Sequence, residues 1–209
     1  ERRMMEEYEA GRGTLRESLR FLELQGLLSF KPGPGGGPVV EKPGPEVLAA
    51  SLALLLQFDG APYRVIAEAR VAFEPLMATL AAERITEDGL KELERSVSDM
   101  EAGLADTEVY LESNERFHGT IAWASGNSLF GFLIDVMVGW MDLSGVHHGV
   151  EYPLRHRQAV LKKHQRILEA IKARDGERAR EAMHEHIQEY LNYINKKYPN
   201  ALSKPITWG

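Results

Sequence analysis

A chain of 209 residues has room for one large domain, or for a small one followed by a medium one, and its 44% apolar and 27% charged residues suit a soluble globular fold. No apolar run reaches the roughly 18 residues of a membrane span, no secretory signal opens the chain, and the absence of cysteine excludes disulfides and thiolate metal sites, so the expected compartment is the cytoplasm. The net charge of −6 argues against a protein that coats nucleic acid by bulk charge.

The first expected element is a helix over 2–10, with Met4, Met5 and Tyr8 on one side. A connection of two or three residues leads to a second helix in the stretch Gly11–Leu28. There Thr14 is the expected N-cap, with Glu17 closing a capping box. Leu15, Leu19 and Leu22 recur at i, i+4 and i+7 as one apolar stripe, and Gly26 stands where a terminating C′ glycine belongs. Arg12, Arg16 and Arg20 are spaced four apart along a different face. On spacing alone they read either as a solvated face or as cations on a groove-binding helix. Two short strands, near 27–31 and 39–41, flank the Gly/Pro-rich turn 32–38 and predict a hairpin. Helix, turn, helix and hairpin is the order of a winged helix-turn-helix.

The pattern Arg12-x-Thr14-Leu15-Arg16-Glu17-x-Leu19-Arg20-x-Leu22-Glu23-x-x-Gly26-Leu27, followed by Pro34-Gly35-Gly36-Gly37-Pro38-Val39-Val40, resembles the DNA-reading head of the GntR family of bacterial transcription regulators. It is closest to the FadR-type branch. The resemblance implies DNA contacts from Arg12, Thr14, Arg16 and Arg20, and from the wing glycines Gly35 and Gly36. The family has a further helix and turn ahead of this point, and the chain opens at Glu1 without Met, so the head is expected to be incomplete at its start. Residues 1–42 carry seven basic and seven acidic side chains, which leaves all six net negative charges to the remainder. A neutral head on an acidic body must hold DNA by local placement and pairing.

Residues 43–45 form a linker, and from Glu46 onward no strand is expected. Helices are predicted over 46–58, from Pro62 through Arg84 with a kink at Pro75, over 86–103, over 107–125, from Asn127 to about 145, over 152–173 and over 177–197. The fold class is therefore mainly α: a winged helix-turn-helix followed by an antiparallel all-α bundle of six or seven helices across 46–197, with an irregular tail at 198–209.

Asn114 and His118 are one turn apart on one helix face. His164 and His186 lie at similar distances before and after the Asp175-Gly176 turn, so in an antiparallel pair they meet at the same height. His118 on a third helix completes a set suited to zinc, nickel or a similar divalent ion. The alternative is three separate histidines, each packed with one hydrogen-bond partner. His147, His148, His156 and His184 follow no pattern and are expected to be exposed.

Asn114-x-x-Phe117-His118 with Ser125-Gly126-Asn127, His164-x-x-Ile167-x-x-Ala170-Ile171 and Ala182-Met183-x-x-His186 resemble the FCD domain, the ligand-sensing half of FadR-type regulators. Many FCD domains bind a divalent metal through Asp and three His, and a small carboxylate completes the coordination. The resemblance implies a metal site at Asn114, His118, His164 and His186, with Asn114 departing from the family's Asp. It also implies a cationic partner for the carboxylate, for which Arg70 is the first choice; an intrahelical pair with Glu74 is the competing role. The expected protein is a ligand-responsive regulator that binds operator DNA as a homodimer and senses a small organic acid. The alternatives are a metal-dependent sensor without a carboxylate effector and, further off, a metal-dependent hydrolase. The hydrolase lacks a carboxylate placed as general base and leaves the reading head unexplained.

Overall fold

The computed structural model describes residues 1–33, 35–143 and 150–207, with side chains for all of these except 139–143. The chain divides into two compact units, Glu1–Ser51 and Leu52–Gly209.

In the first unit α1 (Arg2–Glu7) is shorter than its apolar pattern suggests. The chain leaves the helix at Tyr8 and turns through Glu9 in the left-handed region, at φ 47°. Helix α2 spans Arg12–Leu24. Its first carbonyl acceptor is that of Gly11, which receives the Leu15 amide at 3.0 Å. Thr14 therefore lies inside the first turn, exposed, and the capping box expected of Thr14 and Glu17 does not form. An extended Gly11 already serves as N-cap, and glycine there is nearly as good as a hydroxyl residue. The other end behaves as expected. Gly26 sits at φ 66°, the Gly26 amide donates to Glu23 and the Leu27 amide to Leu22, a Schellman stop.

Strands β1 (Leu28–Lys31) and β2 (Gly37–Val40) pair antiparallel from Leu28 opposite Val40 to Lys31 opposite Gly37. Leu15, Leu19 and Leu28 form the buried centre of this unit, with Met4, Met5 and Leu22 against it.

Helix α3 (Pro45–Phe58) begins on the last linker residue, since proline fits the first helical position, where no amide is needed. Among the described residues six helices make the bundle of the second unit: α4 (Arg64–Arg84), α5 (Glu87–Ala102), α6 (Thr107–Ala124), α7 (Ser128–Leu143), α8 (Leu154–Lys172) and α9 (Gly176–Lys197). Side-chain oxygens cap the starts of four: Thr86 on the Gly89 amide, Asp106 on Glu108 and Val109, Asn127 on Leu129, and Asp175 on Arg178. Helix α4 lies centrally, packed against α6, α7, α8 and α9, and runs unbroken through Pro75. The turn between α8 and α9 falls at Arg174, in the left-handed region at φ 59°. Gly176 serves a close approach instead, because a Cβ there would stand 3.2 Å from Thr79 Cγ2 on α4.

Among the described residues the tail after Tyr198 has no helix or strand, yet it is docked. Leu202 and Ile206 are buried, and backbone bonds join Lys204 to Tyr63, Leu202 to Arg64 and Ile206 to Ala61.

Candidate metal and effector site

Four helices bring the site together. Arg70 and Glu74 are one turn apart on α4, Asn114 and His118 on α6, with His164 on α8 and His186 on α9. Equal arms on either side of the α8–α9 turn do place the two histidines level, with Nε2 atoms 3.2 Å apart. His186 Nε2 also lies 3.3 Å from His118 Nε2. All three rings are buried, at 2%, 0% and 5% exposure for His118, His164 and His186, and they lie against one another rather than in three separate places.

The rings are held from behind. His164 stacks on Phe117, with centroids 3.8 Å apart and planes within 7°, and its Nδ1 is buried without a hydrogen-bond partner. His118 Nδ1 lies 2.5 Å from Glu74 Oε2, and Arg70 Nε donates to the other carboxylate oxygen at 2.5 Å.

Burial pushes the Glu74 carboxyl up, but Arg70 and His118 together hold it well below the usual carboxylate range, so it is ionised. Facing a carboxylate, a neutral His118 carries its proton on Nδ1 and turns the Nε2 lone pair toward His186. Burial first, and then the neighbouring rings, keep His164 and His186 well below the ordinary imidazole value, so both are neutral at pH 7. Neutral imidazole is the form that ligates metal.

Three converging nitrogens, all within 4.8 Å of one another, can hold an ion, and the two shorter separations have the spacing of ligands on one. Two nitrogens each about 2.0–2.1 Å from one tetrahedral zinc stand roughly 3.3 Å apart. Asn114 is half-buried and lines, with Arg70, Tyr110, His118, His186 and Tyr190, a cavity of about 30 Å³ beside the rings. A cleft of about 250 Å³ between α8 and α9, lined among others by His156, Lys163, Glu189 and Asn192, shares Val160, His186 and Tyr190 with that cavity. A larger depression, about 740 Å³, runs past Arg84, Glu92, Arg116, Trp123 and Asp135 and holds none of the histidines. The chemistry, not the volume, locates the site.

Of the other histidines, His184 is exposed as expected and His147 and His148 lie outside the described residues. His156 departs from expectation: it is half-buried, its ring stacks on Tyr193 at 3.8 Å, and its Nε2 is buried without a partner. Glu74 entered the sequence reading only as a helical partner for Arg70. The pair does form, and its burial gives the carboxylate a second contact on His118.

In the head, Arg12, Thr14, Arg16 and Arg20 are exposed, and the Glu1 carboxylate accepts from Arg16 Nε at 2.7 Å and from Arg12 at 3.4 Å. Gly35 and Gly36 lie at the hairpin tip, with Gly35 at φ 83°.

Residues 65–189 match the FCD domain family. A Bacillus subtilis protein, the uncharacterized HTH-type transcriptional regulator YcbG, is 30% identical over 94% of this chain and 78% of its own length. The chain is an FCD-domain transcription regulator of the GntR family. The HTH-type transcriptional repressor NanR of Cronobacter sakazakii is 25% identical to this FCD regulator over 90% of the chain and 72% of the relative. A solved GntR structure from Streptococcus agalactiae is 28% identical, with a TM-score of 0.67 over 91% of this chain and 86% of that one. These relatives are transcription regulators rather than enzymes. No helix among the described residues is long and apolar enough to cross a membrane.

Proposed function

We propose that this FCD regulator binds operator DNA as a homodimer and responds to a small organic acid through a divalent ion, zinc or nickel, held by Asn114, His118, His164 and His186. The convergence of three buried imidazole nitrogens carries this reading. Bound there, the ion supplies a fixed positive charge to which a carboxylate can coordinate. Arg70, on the wall of the small cavity, adds a second cationic group facing the acid. On the DNA side, the exposed Arg12, Arg16 and Arg20, with Thr14 and the wing glycines Gly35 and Gly36, supply groove and phosphate contacts. Two heads then read half-sites about 34–36 Å apart. The acid shifts that spacing only as far as it binds one arrangement of the dimer better than the other.

A second reading, a metal sensor without an organic effector, is favoured by the size of the inner cavity. At about 30 Å³ it takes an ion or a water more readily than a metabolite. One experiment separates the two. Metal content is measured on the purified chain, and thermal shift is then recorded against a panel of small carboxylates with and without chelator. Stabilisation by an acid only in the presence of metal supports the first reading. Metal uptake with no response to any acid supports the second, and no metal uptake at all removes both.

A further inference from the structure

The cavity beside the histidines is short of negative charge. Its ring ligands are imidazoles, which carry no negative charge, and Asn114 offers only an amide oxygen or nitrogen. Among the described residues, the carboxylate that touches a ring of the triad is Glu74, and it is almost wholly buried, at 2% exposure. Both of its oxygens are committed: Oε1 accepts from Arg70 Nε, and Oε2 faces His118 Nδ1. A carboxylate held at one oxygen by a buried guanidinium cannot swing away, so the ring bonded to the other oxygen is fixed in tilt and in tautomer. Histidine ligands are ordinarily supported in this way, since a carboxylate on the far nitrogen orients the ring and raises its basicity.

We propose that Glu74 is the positioning residue of this site. It keeps the His118 proton on Nδ1, aims Nε2 at His164 and His186, and makes that nitrogen a stronger donor to a divalent ion. Arg70 serves it by holding the carboxylate in place. The proposal rests on the metal reading above, and it adds a residue that touches neither the ion nor the acid.

The test uses the full chain and zinc, with affinity read by competition against a chelating dye. Glu74→Gln keeps size and hydrogen-bonding capacity and removes the charge. The expected result is zinc affinity weaker by roughly ten- to a hundredfold in a variant whose helical circular dichroism is unchanged. A purely structural role would lower the melting temperature of the metal-free chain and leave zinc affinity of the folded protein within about twofold; that result overturns the proposal. If Glu74→Gln does not fold, the tautomer in the unsubstituted metal-free chain decides. Imidazole ¹⁵N–¹H correlation spectra are expected to place the His118 proton on Nδ1, and a proton on Nε2 overturns the proposal. An unsubstituted chain that takes up no zinc overturns the metal reading itself. Unsubstituted and Glu74→Gln chains that bind zinc equally overturn only the role given to Glu74.

Discussion

At the scale of single residues, the interior histidines tie stability to pH. His164 and His186 are held below the ordinary imidazole value of 6.5, by burial first and then by the neighbouring rings. In the metal-free chain, each binds fewer protons folded than unfolded between its depressed value and 6.5. Stability from this source is therefore complete above about pH 6.5 and is lost as pH falls below it. Each ring removes up to about 1.4 kcal/mol per pH unit inside that window. Urea denaturation of the metal-free chain at pH 7.5, 6.5 and 5.5 is expected to show little change over the first step and a clear fall over the second. Equal midpoints at all three would mean that the rings titrate as if in water. The level placement of the two rings was legible because a turn with equal arms fixes height in an antiparallel pair. The role of Glu74 was not legible. A Glu four residues after an Arg on a helix reads as a surface ion pair, and only the packing of α4 against α6 turns it into a buried bridge.

At the scale of elements, local chemistry accounts for where helices stop better than for where they start. Gly26 and Gly60 both end helices in the left-handed region, as glycine followed by an apolar residue foretells. The start of α2 misleads because Gly11 caps with its backbone alone and leaves no side-chain signature, while Thr14 and Glu17 imitate one. The hairpin was readable from its glycines, and one of them is sterically indispensable. A Cβ on Gly36 would lie 2.1 Å from the Lys31 carbonyl oxygen and 3.0 Å from that of Gly33. Backbone cannot give way as a flexible side chain does. Gly36→Ala should open the wing tip, where Lys31 pairs with Gly37, at a local cost of about 1–3 kcal/mol. The far end, where Leu28 pairs with Val40 over the Leu15–Leu19 core, should hold. Amide exchange is expected to lose protection near 31 and 37 and keep it near 28 and 40, with operator affinity reduced. Unaltered exchange across 28–31 and 37–40 would refute this account of the tip.

At the scale of the whole molecule, the tail is the part that no periodicity announced. Residues 198–209 lack the 3.6-residue or two-residue spacing that marks an element, and they read as irregular. Residues 199–207 are irregular in form and fixed in place, because isolated apolar side chains and backbone groups, not a repeating face, attach them. Leu202 is 2% and Ile206 3% exposed, close to the burial of the bundle's own centre. The amides of Tyr63 and Arg64 at the start of α4 donate to Lys204 and Leu202, and the Ile206 amide donates to Ala61. The Thr207 amide reaches the Tyr63 hydroxyl at 3.4 Å. The tail thus satisfies amides that the opening turn of α4 cannot satisfy within the helix. It also closes α9, which carries His186, back onto the first residues of α4, which carries Glu74. Full burial of a Leu or Ile side chain contributes about 1.5–3 kcal/mol, so removing both withdraws roughly 3–6 kcal/mol as an upper bound. That is a large part of the 5–15 kcal/mol typical of a folded domain. A chain ending at Tyr198, which keeps the hydroxyl contact from Tyr198 to the Glu151 amide, should unfold at markedly lower denaturant with a similar helical signal at low temperature. Leu202→Ala alone should reproduce about half of the loss. Denaturation midpoints indistinguishable from that of the full chain in both variants would show that the tail rests on the bundle without stabilising it.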